Sequence, residues 1–136
     1  MISTLLMVLA LQGSLDAQAR QFNCSNPQAQ MEMNACADID FQRADAELNR
    51  VYRDSIAAER QADRELDRTY DHGPSNESIL RDAQRAWVAF RDAQCIHEAN
   101  GEARGGSMEP MVYSICQARL TRERIAQLSP PAEEAH

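Results

Sequence analysis

Apolar residues recur at three- and four-residue steps along most of the chain, the spacing that gathers one face of an α-helix. Asn26-Pro27 supplies a cap and a first-turn proline, and Met33, Ala37, Phe41, Ala44, Leu48, Val51 and Tyr52 then form one stripe. It thins through Ile56 and Leu66, where Glu59-Arg60, Asp63-Arg64-Glu65 and Asp67-Arg68 have the spacing of ion pairs on a solvated helix face. Asp71-His72-Gly73-Pro74-Ser75-Asn76 is the strongest internal breaker and separates helices within one domain. Beyond it Ile79, Leu80, Ala83, Trp87, Phe90 and Ala93 give a second stripe ending near Gly101. A third runs from about Met108 through Val112, Ile115, Cys116, Leu120, Ile125 and Leu128, until Ser129-Pro130-Pro131 stops it. The pattern predicts an all-α fold, a small bundle of three helices, and a break between Cys36 and Asp40 would make four. Residues 129–136 read as a disordered tail. No strand run, internal repeat or phosphate-cradling glycine loop interrupts this reading.

The first residues point to export. Leu5-Leu6-Met7-Val8-Leu9-Ala10-Leu11 has the length of a signal-peptide core, and Ala17-Gln18-Ala19 supplies the small residues of a cleavage site. The run is well short of the roughly 20 apolar residues that a transmembrane helix needs. It departs from an ordinary signal in having no Lys or Arg before it. Gln21-Phe22-Asn23 ahead of Cys24 lacks the small and aliphatic residues of a lipid-attachment motif. The expectation is a signal peptide over 1–19, a helical domain over 20–128, and a periplasmic or secreted protein with no membrane anchor after cleavage.

Cys24, Cys36, Cys95 and Cys116 are even in number and lie beyond the signal, which favours two disulfides in an oxidising compartment. Cys95 sits about five residues before the Gly101 to Met108 turn and Cys116 about eight after it. At ~1.5 Å per residue their depths in a helical hairpin differ by only about one turn, so they are the first pair to join. Cys24 and Cys36 remain, and a short extended segment folding back along the next helix just reaches. No zinc-ligand spacing accompanies Cys95-Ile96-His97, and neither a metal nor another cofactor is expected.

Composition narrows the function classes. The 14 basic residues are all arginine and face 21 acids, for a net charge of −7. Loss of the signal removes one of those acids, Asp16, and no base. An acidic chain is a poor nucleic-acid binder, because that affinity rests on basic surfaces, whereas it can be steered toward cationic partners. Asp38, Asp40, Asp45 and Glu47 cluster on the first long helix, yet a small bundle offers little cleft for acid–base chemistry. Gly105-Gly106-Ser107 lacks the G-x-S-x-G pattern of a nucleophile turn. The chain reads as a non-enzyme. Polar residues inside the stripes read instead as structural: Asp45 shares a face with Phe41 and Leu48, Arg91 lies one turn from Trp87, and Gln84 and Asn49 are placed to complete a network.

Glu32-Met33-Asn34-Ala35-Cys36-Ala37, the run from Ala44 to Tyr52, Gln84-Arg85-Ala86-Trp87, Phe90-Arg91-Asp92-Ala93-Gln94-Cys95, Gly105-Gly106-Ser107 and Cys116 with Leu120-Thr121-Arg122-Glu123-Arg124 occur in order and with similar spacing. Together they make Cys24 to Leu128 resemble the lysozyme inhibitor LprI-like family. The resemblance implies an exported, mostly helical bacterial envelope domain with no cofactor and no catalytic residues. The family takes its name from a lipoprotein associated with lysozyme inhibition, and the missing lipid-attachment motif means that anchoring is not carried over.

Two classes of function follow. In the first, the protein binds a cationic lysozyme, and the surface expected to do so is Gly101, Glu102, Ala103, Arg104, Gly105, Gly106 and Ser107. This segment is rich in glycine, tethered by the Cys95 to Cys116 bridge, and carries Arg104 to meet a carboxylate. Its plainer reading is a simple connection between helices. In the second class, the domain is a structural or adaptor module for another envelope protein or cell-wall material.

Overall fold

The computed structural model describes residues 2–130, with side chains from Met7 onward apart from Val8. Four helices follow one another: α1 Ile2–Gln21, α2 Gln30–Glu65, α3 Asn76–Ala103 and α4 Glu109–Leu128. There are no strands among the described residues. α2, α3 and α4 form an up-down-up bundle in which α4 packs on both of the others, and α1 folds back along α2 alone. The last residues of the expected tail, 131–136, lie outside the described residues.

α2 is the spine. Its 36 residues contain neither glycine nor proline, so it runs about 54 Å straight through Cys36 to Asp40. Of the two readings of this stretch, the unbroken one holds: Ile39 is buried in the bundle and nothing local interrupts the hydrogen bonding. The helix starts at Gln30 rather than beside Pro27. Glu32 acts in place of Asn26, accepting at 3.0 Å from the Gln28 backbone N–H, while the Asn26 side chain is held by Gln28. At the other end of the bundle the Asp63 carboxylate accepts from the backbone N–H groups of Asn76 and Glu77 at 2.7 and 3.0 Å, and Ser75 Oγ accepts from Ser78. A side chain of α2 therefore caps α3, placing negative charge where the helix dipole favours it.

Both expected disulfides are present, Cys24–Cys36 and Cys95–Cys116, each with a Cα separation of 5.4 Å. The second lies in the core with Leu120, Trp87 and Tyr113. It also settles which side of α3 faces inward. Counting back from Cys95 by helical steps gives Arg91, Trp87, Gln84 and Leu80, and these turn toward the bundle. Ala83, Phe90 and Ala93, expected in the same stripe, are exposed instead. On α4, Ile115 is likewise exposed beside the buried Cys116.

α1 is a helix to its last turn. Leu15 is buried where α1 meets α2, and Asp16 Oδ1 lies 2.5 Å from Arg43 Nη2. No helix among the described residues is long and apolar enough to cross a membrane.

Candidate functional site

The α3–α4 connection is shorter than the sequence suggested. Gly101 and Glu102 belong to the last turn of α3, and the connection proper is Arg104 to Met108. Its shape has a local cause. Gly105 has φ +74°, the left-handed region that glycine enters without steric cost. The Gly105 backbone N–H donates to Glu109 Oε2 at 2.6 Å, the Gly106 N–H to the Ala103 carbonyl at 2.8 Å, and the Glu109 N–H to the Gly106 carbonyl at 3.2 Å. A side chain at Gly106 would press on that same Ala103 carbonyl. Pro110 then starts α4 at a position that needs no donor.

Two further braces hold the connection to the rest of the molecule. Asn34 Nδ2 on α2 donates to the Ser107 carbonyl at 3.0 Å, and the Cys95–Cys116 bond ties the two flanking helices about two turns below. Arg104 is exposed and belongs to none of the ion pairs among the described residues. Most of the other arginines are paired. The outcome is an exposed, hydrogen-bonded connection that offers an uncommitted guanidinium, two glycines that let a partner's backbone come close, and the Ser107 hydroxyl.

Beside the connection, Ile96, Ala99, Pro110 and Tyr113 join Gly105, Gly106 and Glu109 around an open cleft of about 350 Å³. Tyr113 links it to the centre of the bundle. Gln117 Nε2 donates to Tyr113 Oη at 3.1 Å and to Asp92 Oδ1 at 3.0 Å. Asp92 in turn accepts from Arg91 Nε at 2.9 Å. Desolvation raises the Tyr113 hydroxyl pKa, the Asp92 charge adds to the effect and Arg91 offsets part of it, so the group stays a neutral donor and acceptor.

Arg91 is the hub of this network. Its Nη1 lies 3.1 Å from Asp45 Oδ1 and 3.4 Å from Thr121 Oγ1, and its guanidinium stands over the rings of Phe41 and Trp87 at 5.0 and 5.2 Å. Arg124 covers Trp87 as well, at 5.8 Å, and its Nε donates to Gln84 Oε1 at 2.9 Å. The structure thus brings Asp45, Arg91, Trp87 and Gln84 into one region. Asn49 does not join them. Four residues advance a helix by about 400°, so Asn49 stands some 40° beyond Asp45, which is already at the margin of the core, and it is exposed. Asp92, Gln117, Thr121, Tyr113 and Arg124 also belong to the region and were not singled out from sequence. The recurrence of Tyr113, Gln117 and Thr121 at four-residue steps was the available signal.

Among the described residues no group of three His, Cys, Asp or Glu side chains is placed to hold a metal ion. The connection is braced by Asn34 from α2 and by Glu109 at the start of α4, and the core network reaches as far as Tyr113 on the cleft beside it.

The family model described as Lysozyme inhibitor LprI matches residues 23–128 of this chain, from the residue before the first cysteine to the end of α4. An uncharacterized protein of Rhizobium meliloti (strain 1021) is similar to it, 44% identical over 129 residues that cover 95% of this chain and 92% of the relative. No solved structure matches.

Proposed function

Because the chain belongs to the LprI lysozyme inhibitor family, we propose that it is an exported, non-catalytic envelope protein that binds a lysozyme and blocks its substrate cleft. Its two disulfides suit an extracytoplasmic location, and the proposal includes cleavage after Ala19 with release into the periplasm or medium. Both disulfides, the polar network and the Arg104 to Met108 connection lie beyond that cleavage point.

The observation that carries the reading is the connection itself: exposed, braced from α2, α3 and α4, and bearing an arginine outside every described ion pair. Lysozymes hydrolyse their substrate with carboxylates in a cleft, and a guanidinium is the side chain best matched to a carboxylate. A loop already fixed in shape loses little conformational freedom on insertion. Cleavage after Ala19 removes Asp16 alone and takes the net charge from −7 to −6, which still adds long-range attraction to a cationic enzyme, speeding encounter and fading with salt.

The test is lysis of a peptidoglycan suspension by a c-type lysozyme, with and without the oxidised protein, at low and physiological salt. Saturable inhibition that survives physiological salt and is lost in the Arg104→Ala, Ser107→Ala double variant is the expected result. Inhibition that vanishes with modest salt would reduce the effect to charge and favour an adaptor role, and inhibition untouched by the double variant would remove this loop from the site.

A further inference from the structure

α3 buries the polar residues Gln84 and Arg91 and leaves Ile79, Phe90 and Ile96 each more than half exposed. The network described above accounts for the first fact. Nothing among the described residues covers those three, and Ala83, Ala86, Ala89 and Ala93 lie exposed between them, with Arg81, Asp82, Arg85 and His97 as the polar residues of the same exposed stretch. A continuous apolar strip along a helix exposed to water marks a contact surface.

The charges on this face identify what covers it. Asp82 and Arg85 stand toward one end and His97 toward the other. Asp82 and Arg85 touch at 3.4 Å, but both side chains are more than 70% exposed, so the pair is loose and Asp82 is open to another donor. Fifteen residues separate Asp82 from His97, about 22 Å along the helix, and their midpoint falls between Ala89 and Phe90.

We infer that this face is the interface of a homodimer, in which two α3 helices pack antiparallel about a twofold axis at Ala89 and Phe90. In that register Asp82 accepts a hydrogen bond from the imidazole of the partner's His97, and the symmetry makes the same contact a second time. Ala86 meets Ala93 of the partner subunit near the centre of the contact, where small residues let the helices approach, and Phe90 packs on one flank and Ile96 on the other. A parallel pairing would set Asp82 against its own copy. What points to a second copy of this chain is that the midpoint of acid and imidazole falls within the exposed apolar strip, so one antiparallel register forms both polar contacts and packs the strip on its own copy. In this register Arg104 comes level with Ser75 of the partner subunit, where that subunit's α3 begins, so the two readings are separated by their variants: Phe90→Glu is read by sedimentation and the Arg104→Ala, Ser107→Ala pair by the lysis assay.

Sedimentation equilibrium of the exported, oxidised protein, from micromolar to submillimolar concentration, reads the dimer directly. A dimeric mass is expected, and Phe90→Glu, at an exposed position, should keep the helicity and both disulfides while weakening the dissociation constant by roughly tenfold or more. Asp82→Arg and His97→Glu should each weaken the dimer alone, and the two substitutions combined in one chain should restore it. A monomeric protein throughout the range, a dimer indifferent to Phe90→Glu, or a charge swap without recovery would each overturn the inference.

Discussion

Arg91 shows how one side chain organises this molecule. A buried guanidinium is costly unless its donors are met, and here two carboxylates, a hydroxyl and two aromatic faces surround it. Asp45 is the partner that ties it to α2. Asp45→Ala should lower the free energy of unfolding by about 2 kcal/mol, less than a fully buried pair would lose, because Asp92 remains and Asp45 is 38% exposed. Asn49→Ala, one turn on and in solvent, should change it by no more than about 0.5 kcal/mol. Urea unfolding of the two variants measures the contrast, and equal losses would mean that Arg91 does not depend on Asp45. Asp45 and Arg91 were legible in the sequence because a charge within an apolar stripe is conspicuous. Asp92 and Gln117 were not, since each takes its role from a partner on another helix. Asn49 was misread because its stripe was followed without the 40° drift that carries it past the edge.

At the scale of elements, the three bundle helices and both disulfide pairings were legible, because proline, glycine and cysteine positions constrain them strongly. The rotation of α3 was not. Its sequence offers two faces, one with Phe90 and Ala83 and the other with Gln84 and Arg91, and hydrophobicity alone favours the first. The Cys95–Cys116 bond and the ion pairs turn the second inward. Glu98 adds to this from the edge, held by Arg119 Nη2 at 2.9 Å on both carboxylate oxygens and by Gln94 Nε2 at 3.2 Å. The Gln94 hydrogen bond, then Arg119, holds its pKa below the ordinary carboxylate value. The unfolded chain therefore takes up this proton before the folded one does. The stabilisation is fully present above the ordinary glutamate pKa of about 4.3 and is lost as pH falls below it through the lowered value. Comparing the wild type with Glu98→Gln by thermal unfolding, the stability gap should be constant at neutral pH and close in that acid range. A gap independent of pH would show that the α3–α4 bridge carries no linked stability.

The whole molecule is an acidic, disulfide-stapled bundle with a stiff loop at one end and an apolar face along its middle helix. The resemblance found in the sequence and the family match agree in extent, since both cover nearly everything beyond the first cysteine. The loop was legible as glycine-rich and tethered. Its true limits were not, because whether Gly101 ends a helix depends on the backbone at Gly105. The bracing by Asn34 was also invisible, being a contact across more than seventy residues. The central claim is that this loop occupies a lysozyme's substrate cleft. Binding of the oxidised protein to a c-type lysozyme, titrated by calorimetry at physiological salt with and without a saturating N-acetylglucosamine oligosaccharide, tests it most directly. The account predicts competition, with apparent affinity falling in proportion to the occupancy of the cleft. Undiminished binding in the presence of the oligosaccharide, or no binding at all, would contradict it.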